Sequence, residues 1–380
     1  MNMTFLSKGF EVELFTGLST GENVGVASRA TVELDNFVKE PDQRNIEFIT
    51  SPEKQYSILK ESLLSPRRKL RKWLSEKNLT ILPGSTLSLG NSKRFERSDP
   101  LNLYHESIEK AYGTNIVTAS VHINLGIEDL SDLFAALRLA RCEAALFLSL
   151  SASSPFLDGL PTGAHSQRWI QFPRTPSKVP FFIDHNHYVT WIEKHLASGI
   201  MWNERHFWSS VRPNGPNRPY DLNRLELRIC DLIINCDLLV AVTALFELRV
   251  LSLIHNAGSL DPLKFSKLSA DELALLSDVN DMEAAKSSLD ASLNHWMDGK
   301  PISCRDWIEE LLENVSPLAK TLGISVLLEP IYAVLADGNQ AMKWLKAYSK
   351  GSSVESLIQE SIFAIEAEEI DSISQKFTQG

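Results

Sequence analysis

Ionisable residues recur at alternate positions along four strand candidates in the first part of the chain. Because positions i and i+2 of a strand project from the same face, each candidate has one polar face and one apolar face. The apolar faces carry Phe, Val, Leu, Ile and Ala. The polar faces carry Glu11 and Glu13, then Glu47, then His122 and Asn124, and finally Arg224, Glu226 and Arg228.

The four glutamates would repel one another if the strands were neighbours. Clustered carboxylates resist joint ionisation unless positive charge lies between them, and a divalent cation is the simplest source of that charge. An oxygen-rich ligand set favours Mg²⁺ or Mn²⁺ over zinc. Acids that hold such a cation beside arginines are the groups that phosphoryl transfer requires.

A second interpretation is that these polar faces are simply solvated. For any single strand that is the simpler reading, because polar side chains are usually exposed. Four strands that share acids, an imidazole and guanidinium groups favour ligand binding instead. The chain contains no G-x-x-x-x-G-K-[ST], which excludes a P-loop.

Composition narrows the class of protein further. The 380 residues carry a formal net charge of −10, which argues against nucleic acid as the main partner. The four cysteines are scattered without a C-x-x-C, as in proteins of a reducing compartment. The longest uncharged run of apolar appearance, residues 144–157, is shorter than a membrane-spanning helix needs. Together with an acidic N-terminus, these features predict a cytoplasmic protein that binds neither nucleic acid nor membrane.

The elements that position the polar residues form a strand-rich part, residues 1–234, and a helical part, residues 235–380, which we expect to pack as one catalytic domain. Strands in runs with segregated helices predict an α+β fold with an antiparallel sheet. The predicted strands are 9–17, 45–50, 115–126 and 222–230, with another near 200–211 and short ones on both sides of Pro83-Gly84.

Two further segments are predicted to be helical. A basic run from Arg67 to Lys72 is predicted to form the exposed face of a helix. The segment from Asp184 to His187 could bind a metal ion, but a helix N-terminus is the favoured interpretation.

Five segments occur in the order typical of one known family. They resemble glutamate–cysteine ligases of the carboxylate–amine ligase family, most closely the cyanobacterial-type enzymes. The resemblance implies a fold like that of glutamine synthetase, in which a curved antiparallel sheet forms a funnel with helices on its outer face. The segments are GFEVELFTG (9–17), RNIEFITSP (44–52), VHINLG (121–126), TGAHSQRWIQFP (162–173) and RPYDLNRLELRICD (218–231).

The resemblance also implies a reaction. In that family, the γ-carboxylate of glutamate attacks the γ-phosphate of ATP to give an acyl phosphate, and the amine of cysteine then displaces phosphate to give γ-glutamylcysteine. This is the first step of glutathione biosynthesis. The implied partners are glutamate, cysteine and ATP with Mg²⁺ or Mn²⁺, and the oligomeric state is left open.

Roles for individual residues follow from the same resemblance. It implies Arg228 as the contact of the transferred phosphate, Arg224 and Asn124 as further nucleotide contacts, and Arg168 as a clamp for a substrate carboxylate. Glu40 is a looser match to a further acid. The implied metal ligands are Glu11, Glu13, Glu47, His122 and Glu226.

Two other functions stay open at this stage. A related carboxylate–amine ligase with a different amine acceptor would use the same residues. A catalytically silent homologue that binds metal or nucleotide would keep the fold alone, although the intact acids and Arg228 argue against it.

Overall fold

The computed structural model describes residues 4–255 and 259–378. The strands are Lys8–Gly17 (β1), Phe37–Lys39 (β2), Asn45–Ile49 (β3), Thr80–Leu82 (β4), Val121–Gly126 (β5), Phe156–Leu157 (β6), Leu160–Pro161 (β7), Val211–Asn214 (β8), Arg224–Leu227 (β9), Ser292–Asn294 (β10) and Pro301–Ser303 (β11). The helices are Ala27–Glu33 (α1), Tyr56–Ser75 (α2), Leu103–Tyr112 (α3), Leu130–Ser151 (α4), Gln167–Gln171 (α5), His185–Ala197 (α6), Cys236–His255 (α7), Pro262–Phe265 (α8), Ala270–Ser287 (α9), Cys304–Thr321 (α10), Glu329–Asp337 (α11), Gln340–Ser349 (α12) and Val354–Thr378 (α13).

The main sheet is antiparallel and open at both edges. Its strands lie in the order β2-β3-β1-β5-β9-β8, and β4 pairs with the second half of β1 beyond the end of β5. The predicted α+β fold, with a mostly antiparallel sheet and a helical C-terminal part, is therefore confirmed.

Apolar alternation and capping residues explain where these elements form. In β1 the side chains of Phe10, Val12 and Leu14 are buried on one face, as the alternation predicts. Helix α4 begins after Asp129, whose side chain accepts a hydrogen bond from the backbone N–H of residue 132. Helix α9 begins at a capping box in which Ser269 and its N3 glutamate satisfy each other's backbone N–H groups.

Two long apolar helices form the layer behind the sheet. Helix α4 packs against β8, β9, α7 and α9, and α7 packs against α2, α4 and α10. Within the described residues, α7 alone is long and apolar enough to cross a membrane by length and composition. However, 78% of its apolar window is buried inside the protein. This is what the core helix of a globular protein shows, so α7 is weak evidence for a membrane span.

Two predicted strands differ in extent from the observed ones. Residues 113–116 form a 3-10 helix, so β5 begins at Val121 instead of 115. The strand expected near 200–211 lies instead at β8, because a 3-10 helix occupies Glu204–His206 and the rings of Trp202 and His206 pack together there. Beyond Pro83-Gly84 the chain forms no second short strand within residues 85–90.

The two predicted parts of the chain are joined by buried ion pairs. Arg67 and Arg71 of α2 were expected on an exposed face, but both turn inward to acids of α13. The Arg67 guanidinium is 3% exposed, and its Nε lies 3.2 Å from Oε1 of Glu369. Arg71 pairs with Glu369 and Glu366. The expected exposed basic face is therefore wrong at these two positions, and the division at residue 234 stays a prediction.

Removing the Glu369 carboxylate should be costly, because it would leave guanidinium groups of α2 buried without their main partner. We expect Glu369→Ala to lower the free energy of unfolding by roughly 3 kcal/mol in urea titrations. Glu360→Ala, an exposed acid of the same helix, should change it by less than about 0.5 kcal/mol. Equal effects of the two variants would contradict a stabilising role for the buried pairs.

A second buried acid lies where α9 packs on α4. Asp281 is 1% exposed, and its Oδ1 has no hydrogen-bond partner among the described residues. Burial, followed by the charge of Asp278, raises the pKa of Asp281 to about 8, against the opposing effect of Arg174 and Arg141. Asp281 is therefore protonated in the folded protein at neutral pH.

This raised pKa predicts a pH dependence of stability. Between the ordinary pKa of 3.8 and about 8, the unfolded chain releases a proton that the folded protein keeps, so stability falls as pH rises. The slope from one such group is at most about 1.4 kcal/mol per pH unit. We expect Asp281→Asn to flatten the stability profile between about pH 5 and pH 8 in thermal or urea unfolding. Asp271→Asn, at an exposed position of α9, should keep the wild-type slope.

Candidate active site

Sheet register brings the predicted polar residues onto one continuous face. Glu11 of β1 lies directly opposite His122 of β5, and Glu13 lies opposite Glu47 of β3. Asn124 of β5 lies opposite Glu226 of β9. Directly opposed residues of an antiparallel pair share a face, so four strands that are distant in sequence contribute to one surface.

The centre of this face holds three possible metal ligands. Nδ1 of His122 lies 2.9 Å from Oε2 of Glu11 and 3.6 Å from Oε1 of Glu226. One ligand atom from each residue lies within 4.8 Å of the other two. Glu13 lies beside this group, with its Oε1 3.9 Å from Nε2 of His122. The buried Ser120 hydroxyl orients both, because it donates to Oε2 of Glu13 and lies 3.1 Å from Nε2 of His122.

Glu226 is fully buried and surrounded by positive groups. Arg212 of β8 grips its carboxylate with two hydrogen bonds, Nε to Oε2 at 2.7 Å and Nη2 to Oε1 at 3.1 Å. Asn214 and Arg228 donate to the same carboxylate. Burial alone would raise the pKa of Glu226, but Arg212, Arg228 and His122 hold it well below its ordinary value. The carboxylate is therefore ionised throughout the physiological range.

At the opposite end of the face, Glu40 and Glu47 both have raised pKa values. Burial, followed by the charge of Glu13, raises the pKa of Glu40 to about 8. Burial and the neighbouring Glu40, Glu11 and Glu13 raise the pKa of Glu47 well above its ordinary value. Glu40, the looser match in the sequence, thus lies against Glu47 and belongs to the same acidic group. Four carboxylates this close need protons or a cation to relieve their repulsion.

The polar face is therefore graded in charge across the sheet. Acids lie on β1, on β3 and directly after β2, whereas arginines lie on β8 and β9 at the other edge. His122 of β5 lies at the boundary between the two ends. Such a surface can bind a cation at one end and an anion at the other, side by side.

Two cavities open on either side of the central group. The first, which we call the Arg224 cavity, has a volume of about 290 Å³ and is lined by Glu11, Asn124 and Arg224 together with the glycines at positions 9 and 126. Nε of Arg224 donates to Oδ1 of Asn124 at 3.2 Å. The second, the Trp208 cavity, has a volume of about 70 Å³. It is lined by Glu13, Glu40, Ile116, His122, Arg168, Phe172, Trp208 and Arg228.

Arg168 lies in the wall of the Trp208 cavity, but two of its nitrogens are already engaged. Nη1 donates to the carbonyl oxygen of Ile229 and Nη2 to that of Arg228, each at 3.0 Å. Its Nε is buried without a hydrogen-bond partner among the described residues. Arg168 thus fixes the backbone that carries Arg228, and its predicted contact with a substrate carboxylate stays a prediction.

A buried carboxylate supports Arg168 from behind the sheet. Asp231 is completely buried and accepts hydrogen bonds from the backbone N–H of Ser153 at 2.9 Å and from the hydroxyls of Ser154 and Ser166 at 2.6 and 2.8 Å. Its Oδ1 lies 3.9 Å from Nη1 of Arg168. The network ties the loop after α4 to α5 and to the end of β9.

The sequence analysis did not identify Arg212 and Asn214, which complete the environment of Glu226. Both lie on β8 at alternate positions, the same signal that identified the other strands. The strand was expected over 200–211, which ends just before them. Moving the prediction a few residues along the chain would have placed both on the polar face.

Comparisons with known proteins agree with this arrangement. The profile of glutamate-cysteine ligase family 2 matches residues 7–363. A protein of Sorangium cellulosum, provisionally named glutamate–cysteine ligase 2, is 27% identical over 263 residues, which cover 68% of this chain and 66% of that protein. A Gloeobacter violaceus protein with the same provisional name is 26% identical over 326 residues, which cover 83% of each.

A solved structure shares the fold. The glutamate–cysteine ligase of Francisella tularensis, determined in complex with AMP, matches with a TM-score of 0.72 at 13% identity. The match covers 99% of this chain and 94% of that one. Because the family profile extends over nearly all of its length, this chain belongs to glutamate-cysteine ligase family 2.

Proposed function

We propose that this protein joins the γ-carboxyl group of L-glutamate to the amine of L-cysteine, with cleavage of ATP to ADP and phosphate. The observation that carries the proposal is the graded polar face, on which Glu11, His122 and Glu226 lie within reach of one cation and Arg228 lies beside them. Family membership supports the same reaction class.

The Arg224 cavity is the proposed nucleotide site. Gly9 and Gly126 form part of its lining, and Arg224 and Asn124 supply polar groups to it. It borders Glu11, so phosphates that extend from it would reach the central group. The related Francisella enzyme was determined with AMP, which supports nucleotide binding within this fold.

The Trp208 cavity is the proposed amino-acid site. Its wall carries carboxylates from Glu13 and Glu40 and cations from Arg168 and Arg228, together with apolar surface from Trp208. An amino acid presents an ammonium group, a carboxylate and a side chain, and this wall offers a complement to each. The Nε of Arg168, which has no hydrogen-bond partner among the described residues, is a donor that remains for a carboxylate.

The chemistry requires activation, because a carboxylate is a poor acylating agent. In the first step, a γ-carboxylate oxygen of glutamate bonds to the γ-phosphorus of ATP, and the bond to the bridging oxygen breaks with release of ADP. In the second, the amine nitrogen bonds to the acyl carbon, phosphate leaves, and the amine loses a proton. Arg228 would bind oxygens of the transferred phosphoryl group, where negative charge is concentrated.

The residues fit a divalent metal ion. Glu11, His122 and Glu226 supply two carboxylates and one imidazole, an oxygen-rich set that suits Mg²⁺ or Mn²⁺. Glu13 and Glu47 lie on the same face beside this group and are proposed as further ligands. A bound cation would screen the repulsion between the anionic carboxylate and the anionic nucleotide. Arg212 and Asn214 would keep Glu226 ionised and oriented for this role.

The proposed reaction predicts phosphate release that depends on both amino acids. We expect purified protein with MgATP to release phosphate only when glutamate and an amine acceptor are both present, with cysteine the best acceptor in a panel of amino acids. Another acceptor performing best would identify a related carboxylate–amine ligase. Nucleotide binding with no turnover for any acceptor would identify a silent homologue and contradict the proposal.

The metal assignment predicts a specific defect in Glu11→Gln. Losing one charged ligand should raise the Mg²⁺ concentration required for half-maximal rate and lower kcat by a factor of about 100 or more. Glu128→Gln, at an exposed position two residues after the end of β5, serves as the matched control and should behave as wild type. Wild-type activity and Mg²⁺ dependence in Glu11→Gln would remove this residue from the site.

A further inference from the structure

One guanidinium beside the site has no role in the reaction as derived above. Arg218 lies in the loop that joins β8 to β9, and its Nη1 is buried with no hydrogen-bond partner among the described residues. Buried guanidinium nitrogens are normally paired, because an unmade hydrogen bond from a charged donor costs free energy. An unpaired nitrogen therefore requires an explanation.

The loop that carries Arg218 is held firmly in place. The backbone N–H groups of Tyr220 and Asp221 both donate to the carbonyl oxygen of Asn217. Nε2 of His185 lies 2.8 Å from the carbonyl oxygen of Pro219, and the hydroxyl of Tyr220 donates to Glu193 of α6 at 2.9 Å. These hydrogen bonds fix the backbone of the loop on both sides of Arg218, as a preformed binding site requires.

Gly215 allows the loop to fold this closely. A Cβ at this position would lie 1.9 Å from the carbonyl oxygen of Asp221, so only glycine fits without moving the backbone. The close approach brings the two ends of the loop together at the end of the β8–β9 hairpin. The geometry that positions Arg218 is therefore a property of the backbone.

The electrostatic surroundings of Arg218 contain more positive than negative charge. Arg212, Arg228 and Glu226 all act on its guanidinium, and the Glu226 carboxylate already accepts hydrogen bonds from Arg212, Asn214 and Arg228. Burial, followed by repulsion from Arg212, lowers the pKa of Arg218 to about 10, which still leaves it charged at neutral pH. A third cation is thus buried near a carboxylate that already accepts hydrogen bonds from Arg212 and Arg228.

We propose that Arg218 binds an oxyanion of a substrate, a phosphate or carboxylate oxygen, next to Arg228. The inference rests on the proposed function, which brings such groups to this face. Ligand binding would pair the buried Nη1 and balance the excess positive charge. In the absence of ligand, the unpaired guanidinium destabilises the fold, as functional groups in preformed sites often do.

The test separates ligand binding from packing by measuring both in one variant. Thermal unfolding of ligand-free Arg218→Gln should occur at the wild-type temperature or above it, because a poorly compensated charge is removed. Calorimetric affinity for either the magnesium complex of a non-hydrolysable ATP analogue or L-glutamate should fall by about 10-fold or more. Loss for the analogue assigns the oxyanion to phosphate, and loss for glutamate assigns it to carboxylate. Lys194→Gln, an exposed charge of nearby α6, should alter neither affinity.

Opposite results would overturn the inference. A lower unfolding temperature with unchanged affinity for both probes would show that Arg218 serves packing alone. If Arg218→Gln does not fold, Arg218→Lys serves in its place, because it keeps the charge but lacks the planar guanidinium group. This variant should bind the ATP analogue or glutamate more weakly than the wild type does. Wild-type affinity for both probes would also overturn the proposal. If the wild-type protein binds neither probe, both the proposed function and this inference are refuted. If Arg218→Gln turns over at the wild-type rate and binds both probes with unaltered affinity, only this inference is refuted.

Discussion

Like charges on one face of a sheet must be separated or compensated, and this constraint organises the site. The acids of β1 and β3 and the arginines of β8 and β9 occupy opposite ends of the polar face, with His122 between them. Glu226 is the exception, an acid within the basic end, and four donors from three residues neutralise it. The result is a surface that can hold a cation and a phosphate side by side without either charge being placed in an apolar environment.

The helices behind the sheet make this face rigid. Helices α4 and α7 fill the apolar side, so the strands cannot move apart without exposing core residues. Asp231 and Arg168 then connect the loop after α4 to the backbone at Arg228. The backbone N–H of Arg228 donates to the carbonyl oxygen of Ser210, on the segment that leads into β8. The backbone of Arg228 is therefore fixed by hydrogen bonds on both sides, as its proposed role in charge stabilisation would require.

Much of the sheet could be predicted, because alternation is a local property of the sequence. β1 and β3 lie almost where the pattern placed them, and Glu11 and Glu47 project to the predicted face. β8 was misplaced because aromatic residues before it resemble a strand, whereas they pack as a ring cluster around His206. The basic run on α2 was predicted as exposed because its acidic partners lie about 300 residues later, on α13.

The amino-acid sequence alone is enough to identify the strands with ionisable faces, the α+β class and, through the order of its segments, the family. Which of those ionisable groups meet depends on the folded structure. Strand order and register bring Glu11 opposite His122, join Arg212 to Glu226, and leave the Nη1 of Arg218 without a partner. The physical reason is that alternation depends on neighbours two residues apart, whereas charge compensation depends on groups brought together by long-range pairing, which no local pattern specifies.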